Sequence, residues 1–204
     1  MSGRPSITFR TTHVIFLLGT LVVLFSGCRP DAKLPARSSK EYSEFVRAFY
    51  VGLAALQVGD DVRADNKLAQ VTQLVPDEPA GWANWGMLAL RQRNFDPAAE
   101  RLERARTLAP ENDQIYYLVG LLEKGRGRSP EAITALRKAI ELNPKHLVAT
   151  LALAEEIERQ GDENSAAEYQ RLMQKILETR PDNLAALLEL GRIAAKRNDA
   201  DTLR

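Results

Sequence analysis

Two hydrophobic patterns divide this chain. From Val14 to Phe25 the residues form one apolar run of 12. Beyond residue 43 apolar and small residues recur with a fixed period. Gly52, Gly86 and Gly120 stand 34 residues apart, and Ala154 takes the next place. Pro76, Pro110 and Pro144 keep the same spacing, as do Ala64, Ala98, Ala132 and Ala166. Three independent markers on one period make internal repetition the organising fact of the sequence. Small residues let two helices approach closely, large apolar residues fill the layers between neighbours, and each proline ends a helix. The runs Glu111-Asn112-Asp113, Asn143-Pro144-Lys145 and Pro181-Asp182-Asn183 are turn formers. No alternating apolar–polar stretch signals a strand, so the predicted class is all-α.

The second copy carries Trp82, Trp85, Gly86, Ala89, Ala98, Leu102, Ala105 and Pro110, and the third Tyr116, Val119, Gly120, Ala132, Leu136, Ala139 and Pro144. The first keeps Val51, Gly52, Ala64, Leu68, Val71 and Pro76; the fourth keeps Leu153, Ala154, Ala166 and Met173. This pattern resembles the tetratricopeptide repeat, a helix–turn–helix unit. The resemblance implies a right-handed superhelical solenoid of antiparallel helix pairs, about four and a half repeats long. The repeats fall at about 45–78, 79–112, 113–146, 147–183 and 184–204, the last incomplete. Pro181 arrives three residues late, which predicts a longer second helix in repeat four.

The N-terminal segment reads differently. Arg4 and Arg10 precede the apolar run, no acidic residue stands before Asp31, and the run ends in Leu24-Phe25-Ser26-Gly27-Cys28. Twelve apolar residues suit a secretory h-region and are too few to span a bilayer. The ending resembles the lipobox of bacterial lipoproteins, although Phe25 stands where that family carries Leu. The resemblance implies a signal peptide over 1–27 and a diacylglyceryl anchor on Cys28, the single cysteine of the chain. An uncleaved anchor with a free Cys28 thiol is the alternative. Residues 28–42, with Pro30, Pro35 and few apolar groups, read as a flexible tether. The implied location is the cell envelope, facing the periplasm. Arg29 stands where some enteric bacteria carry an inner-membrane retention Asp, which points to the outer membrane.

Charge and chemistry narrow the function. Without the leader, 26 basic side chains face 27 acidic ones, so no basic face invites nucleic acid. Of the two histidines, His13 lies in the leader and His146 in a turn, where it reads as an exposed residue. One histidine without a cysteine partner makes neither a zinc site nor a nucleophile–base set, so no metal, cofactor or active site is expected. Gly125-Arg126-Gly127-Arg128 lacks the Lys-Ser/Thr ending of a phosphate loop and falls where the repeat turns.

In solenoids of this family the first helix of each repeat lines a concave groove that binds other proteins. Matched position by position, the groove would offer Phe49, Tyr50 and Leu53, then Asn84, Met87 and Arg91, then Gln114, Tyr117, Leu121 and Lys124. Aromatic and Met anchors beside Arg, Lys and an amide suit an extended peptide or a helix. Asn84 is the sharpest candidate, because one amide can bond both the N–H and C=O of a ligand backbone. The carboxylate clamp of the family's chaperone adaptors is missing, since only Asn84 corresponds to it. The fifth repeat would leave Leu187, Leu190 and Ile193 uncovered. A further domain in a longer chain, self-association, or a partner would cover them, the first being favoured. The expected function is a membrane-tethered scaffold for other envelope proteins, the alternative a docking region of a longer enzyme or β-propeller protein.

Overall fold

The computed structural model describes residues 34–161 and 163–197. Among them are nine helices and no strand. The helices are α1 (Lys40–Val58), α2 (Asp61–Leu74), α3 (Pro79–Arg91), α4 (Phe95–Leu108), α5 (Asp113–Gly125), α6 (Ser129–Leu142), α7 (Leu147–Gln160), α8 (Glu163–Thr179) and α9 (Leu184–Arg197). Cys28 and the leader lie outside the described residues. The first helix starts at Lys40, inside the stretch read as tether, because the Ser39 hydroxyl accepts the Tyr42 N–H at 3.1 Å and caps it.

Each repeat is punctuated alike. The residue before each repeating proline is driven out of the helical region by the proline ring. Val75, Ala109 and Asn143 accordingly share φ near −137°, at −136°, −138° and −137°. Between the two helices of a pair the chain makes one left-handed residue. Gly59, Arg93, Gly127 and Gly161, again 34 apart, have φ of 78°, 59°, 75° and 71°. Arg93 is the only one of the four with a side chain to clash there.

Successive helices pack in sequence, and α1 approaches α3, α3 approaches α5 and α5 approaches α7. Among the described residues the backbones of α2, α4, α6 and α8 make no such approach to one another. Odd helices therefore form the inner, tighter row and even helices the outer one. Inside each pair a glycine receives a leucine. A Cβ on Gly86 would stand 2.7 Å from Leu102, and on Gly120 2.6 Å from Leu136. Ala64, Ala98 and Ala132, with Leu68, Leu102 and Leu136, are fully buried.

Repeat four departs from this scheme. Its second helix, α8, is 17 residues long against 14 for α2, α4 and α6, as the late Pro181 predicts. Ala166, matched to the buried alanine of the other repeats, is instead exposed, and Ser165 is buried. The leucine of the other pairs is replaced at the corresponding place by Gln170. With alanine at 154 instead of glycine, α8 turns by one residue and packs Tyr169, Leu172, Met173 and Ile176 inward. The backbone of α9 makes no close approach to α7.

Candidate functional site

The inner row carries a continuous, half-buried apolar line. Phe49 on α1 and Met87 on α3 pack on one core cluster, Met87 and Tyr117 of α5 on the next, and Tyr117 and Leu121 on the third. Tyr50 is more open, at 53% exposure. These five, four half-buried and one exposed, are the apolar and aromatic side chains that the expected groove presents.

The other five expected positions are buried or bonded within the solenoid. Leu53 is buried with Leu56, Leu68 and Leu88, because Phe49, Trp85 and Met87 close over it. Asn84 is 7% exposed, and its Nδ2 donates to the Ala80 carbonyl one turn back at 2.7 Å. That bond satisfies the amide inside its own helix, so Asn84 is not an open backbone-reading group. Arg91 donates to the Leu56 carbonyl at 2.7 Å and pairs with Asp61. Lys124 pairs with Glu155 and lies 3.8 Å from Glu156. Both cations join adjacent repeats and do not flank a ligand. The Gln114 Oε1 accepts from His146 at 3.1 Å.

His146 is likewise not the exposed turn residue that the sequence suggests. It is 7% exposed and is the N-cap of α7, its Nδ1 accepting the Ala149 N–H at 3.2 Å. An accepting Nδ1 puts the proton on Nε2, which donates to Gln114. The ring lies 5.2 Å from that of Tyr117. Burial pulls the imidazole below its ordinary pKa, with Asp113 at 3.8 Å opposing the shift. The residue thus fastens repeat four to the α5 wall of the groove as a neutral cap.

Trp82 and Trp85 pack on the core clusters and also tie repeats together. Trp82 donates from its indole to the Pro76 carbonyl at 2.8 Å, and Trp85 to Asp65 at 2.7 Å. The Arg101 guanidinium stacks 3.7 Å from the Trp85 ring. The Gly125–Arg128 turn lines a cavity of about 640 Å³ with Arg93 and Phe95, where Arg126 donates to the Phe95 carbonyl at 3.1 Å and to Asp96 at 2.9 Å. Among the described residues no group of three His, Cys, Asp or Glu is placed to hold a metal ion, and no helix is long and apolar enough to cross a membrane.

The helix pairs, their period and their glycine–leucine seats are those of a tetratricopeptide-repeat solenoid. The Tetratricopeptide repeat family model matches residues 84–146 and again 120–176. Protein NPGR2 of Arabidopsis thaliana is 24% identical over 156 residues, which is 75% of this chain and 21% of that protein. The chain therefore spans about a fifth of that relative's length. Among solved structures, MamA from residue 41 onward of Desulfovibrio magneticus RS-1 is 26% identical, with 69% of this chain and 77% of that one covered at a TM-score of 0.60. YrrB, described as a tetratricopeptide-repeat protein with an unusual peptide-binding site, shares the fold at 18% identity and a TM-score of 0.58, over 78% of this chain and 86% of that one. A scaffold for protein–protein interaction is the role that this fold and these neighbours support.

Proposed function

We propose that the chain is a lipid-anchored scaffold of the bacterial cell envelope that seats a peptide or helix of another envelope protein on its inner helical row. The observation that carries this reading is the accessible apolar line Phe49, Met87, Tyr117 and Leu121, flanked by exposed Tyr50. Aromatic and Met side chains supply contact area at small entropic cost, which suits them as anchors for a ligand helix or strand. With Arg91 and Lys124 held in ion pairs, the ligand is recognised mainly by apolar fit. Cys28 carries the anchor in this reading, and the residues before Lys40 tether the solenoid to the membrane.

A photo-crosslinking residue at Met87, introduced into the full chain in its host, tests the groove. The expected result is a covalent adduct with one envelope protein, lost on Tyr50→Asp plus Tyr117→Ala while helical content is retained. An adduct unaffected by those changes would place the partner elsewhere. Intact mass of detergent-extracted protein tests the anchor: residues 28–204 plus acyl chains supports it, an unmodified Cys28 does not. A mass far above that would favour the second reading, a docking arm of a longer protein, which the 21% coverage of NPGR2 brings into view.

A further inference from the structure

The turns inside the helix pairs are not alike. Gly59, Gly127 and Gly161 hold the left-handed place of their turns without a side chain, and among the described residues only repeat two puts one there, Arg93 at φ 59°. Backbone strain of that kind gathers where the strained residue has a function. On either side of Gly127 stand Arg126 and Arg128, where repeat one has Val58 and Asp60. All three arginines line the cavity of about 640 Å³ between the turns of repeats two and three, with Phe95 beside them. None of the inner-row side chains lines it, so the cavity is separate from the groove.

The three guanidiniums are not equally committed. Arg126 is mostly buried and is held by the Phe95 carbonyl, Asp96 and Glu123, so it braces the two turns. Arg128 is more than half exposed and reaches Glu123 at 3.4 Å, a carboxylate it shares with Arg126. Arg93 makes no ion pair among the described residues, and its guanidinium lies 5.8 Å from the centre of the Phe95 ring. Three cations therefore face two carboxylates, and one of these, Asp96, is 99% exposed and screened by water. Two helix starts reinforce this positive field. The helices α1, α2, α3, α5 and α7 each begin with a side-chain acceptor, but Asn94 at α4 makes no such bond and Arg128 at α6 has no acceptor to offer.

We propose that this cavity binds an acidic segment of a protein partner, with Arg93 and Arg128 forking onto its carboxylates and Phe95 meeting an apolar side chain between them. Guanidinium forks match carboxylates in shape as well as charge, and such bonds are about twice as strong as neutral ones. The space is far larger than a single oxyanion fills, which suits several side chains of a peptide. Arg126 positions the site and is not its ligand-binding group, since its own partners already occupy it.

A fluorescein-labelled oligoglutamate peptide is the probe, and anisotropy with the full chain at low ionic strength is the readout. Saturable binding is expected, weakening as salt is added, with no binding of oligolysine. Arg93→Gly plus Arg128→Gln should weaken it at least about tenfold. Arg93→Gly alone should weaken binding while raising the urea midpoint, so the lost affinity is not lost fold. Arg171→Gln, on the exposed surface of α8 away from the cavity, should change nothing. No binding, equal binding by the Arg93→Gly plus Arg128→Gln protein, or an equal loss with Arg171→Gln overturns the proposal. So does displacement of the peptide by inorganic phosphate at the peptide's own concentration, since the cavity would then be a phosphate site.

Discussion

At the scale of single residues, two positions carry more of the architecture than their identity suggests. Arg93 occupies the left-handed place that Gly59, Gly127 and Gly161 occupy in the other repeats. A side chain in that region costs on the order of 1 kcal/mol. Its contact with the Phe95 ring, 5.8 Å away, returns only part of that. Arg93→Gly is accordingly expected to raise unfolding stability by about 0.5–1 kcal/mol in urea titration. His146 makes stability depend on pH. Its folded pKa is depressed, so the unfolded chain binds the proton more readily. The cap is fully present above about pH 6.5, the unfolded imidazole value, and weakens as pH falls from there through the lowered folded value. His146→Asn keeps an N-cap acceptor without titrating, and should remove that part of the slope from thermal melts taken at a series of pH values. Neither position was legible beforehand. An N-cap can be made by any short acceptor, and a histidine in a turn is indistinguishable from a solvated one until the helix after it is placed.

Between elements, the sequence is legible where a contact repeats and silent where it occurs once. Glycine-to-leucine seats and proline stops recur three times, so their period alone places the helix pairs. Groove exposure does not follow from period. Leu53, Met87 and Leu121 hold equivalent places, yet Leu53 is buried because Phe49, Trp85 and Met87 are large enough to close over it. Ion pairs between repeats were equally hidden, since Arg91 with Asp61 and Lys124 with Glu155 look like surface charge in a linear reading. Arg101 joins several of these contacts: it stacks on Trp85, donates to the Trp85 carbonyl at 3.3 Å and pairs with Asp65 at 3.9 Å. Burial lowers the Arg101 pKa, and Asp65 opposes that shift. Arg101→Leu should cost about 1–2 kcal/mol, and Arg101→Lys should recover less than half of it, because an ammonium neither stacks flat nor forks. A lysine variant as stable as the parent would show that charge alone matters there.

Across the whole molecule, each repeat touches only its neighbours, so stability is a sum of local terms and need not be uniform. The central pairs have filled glycine seats and fully buried leucines. Towards α9 these supports fall away together: α8 is turned by one residue, the backbones of α7 and α9 do not approach, and among the described residues nothing lies within 4 Å of where a Cβ on Gly191 would stand. Amide exchange should therefore be graded, with α3 to α6 slowest and α9 faster by at least about a hundredfold, a difference of roughly 2.7 kcal/mol in opening free energy. The gradient also distinguishes two uses of the scaffold. A ligand on the inner row spans α1, α3 and α5, already the stable part, and would change their exchange little. A ligand held on α9 would instead slow exchange there far more than anywhere else. Uniform exchange along the solenoid would mean that its contacts with α7 and α8 hold α9 as firmly as the central pairs are held.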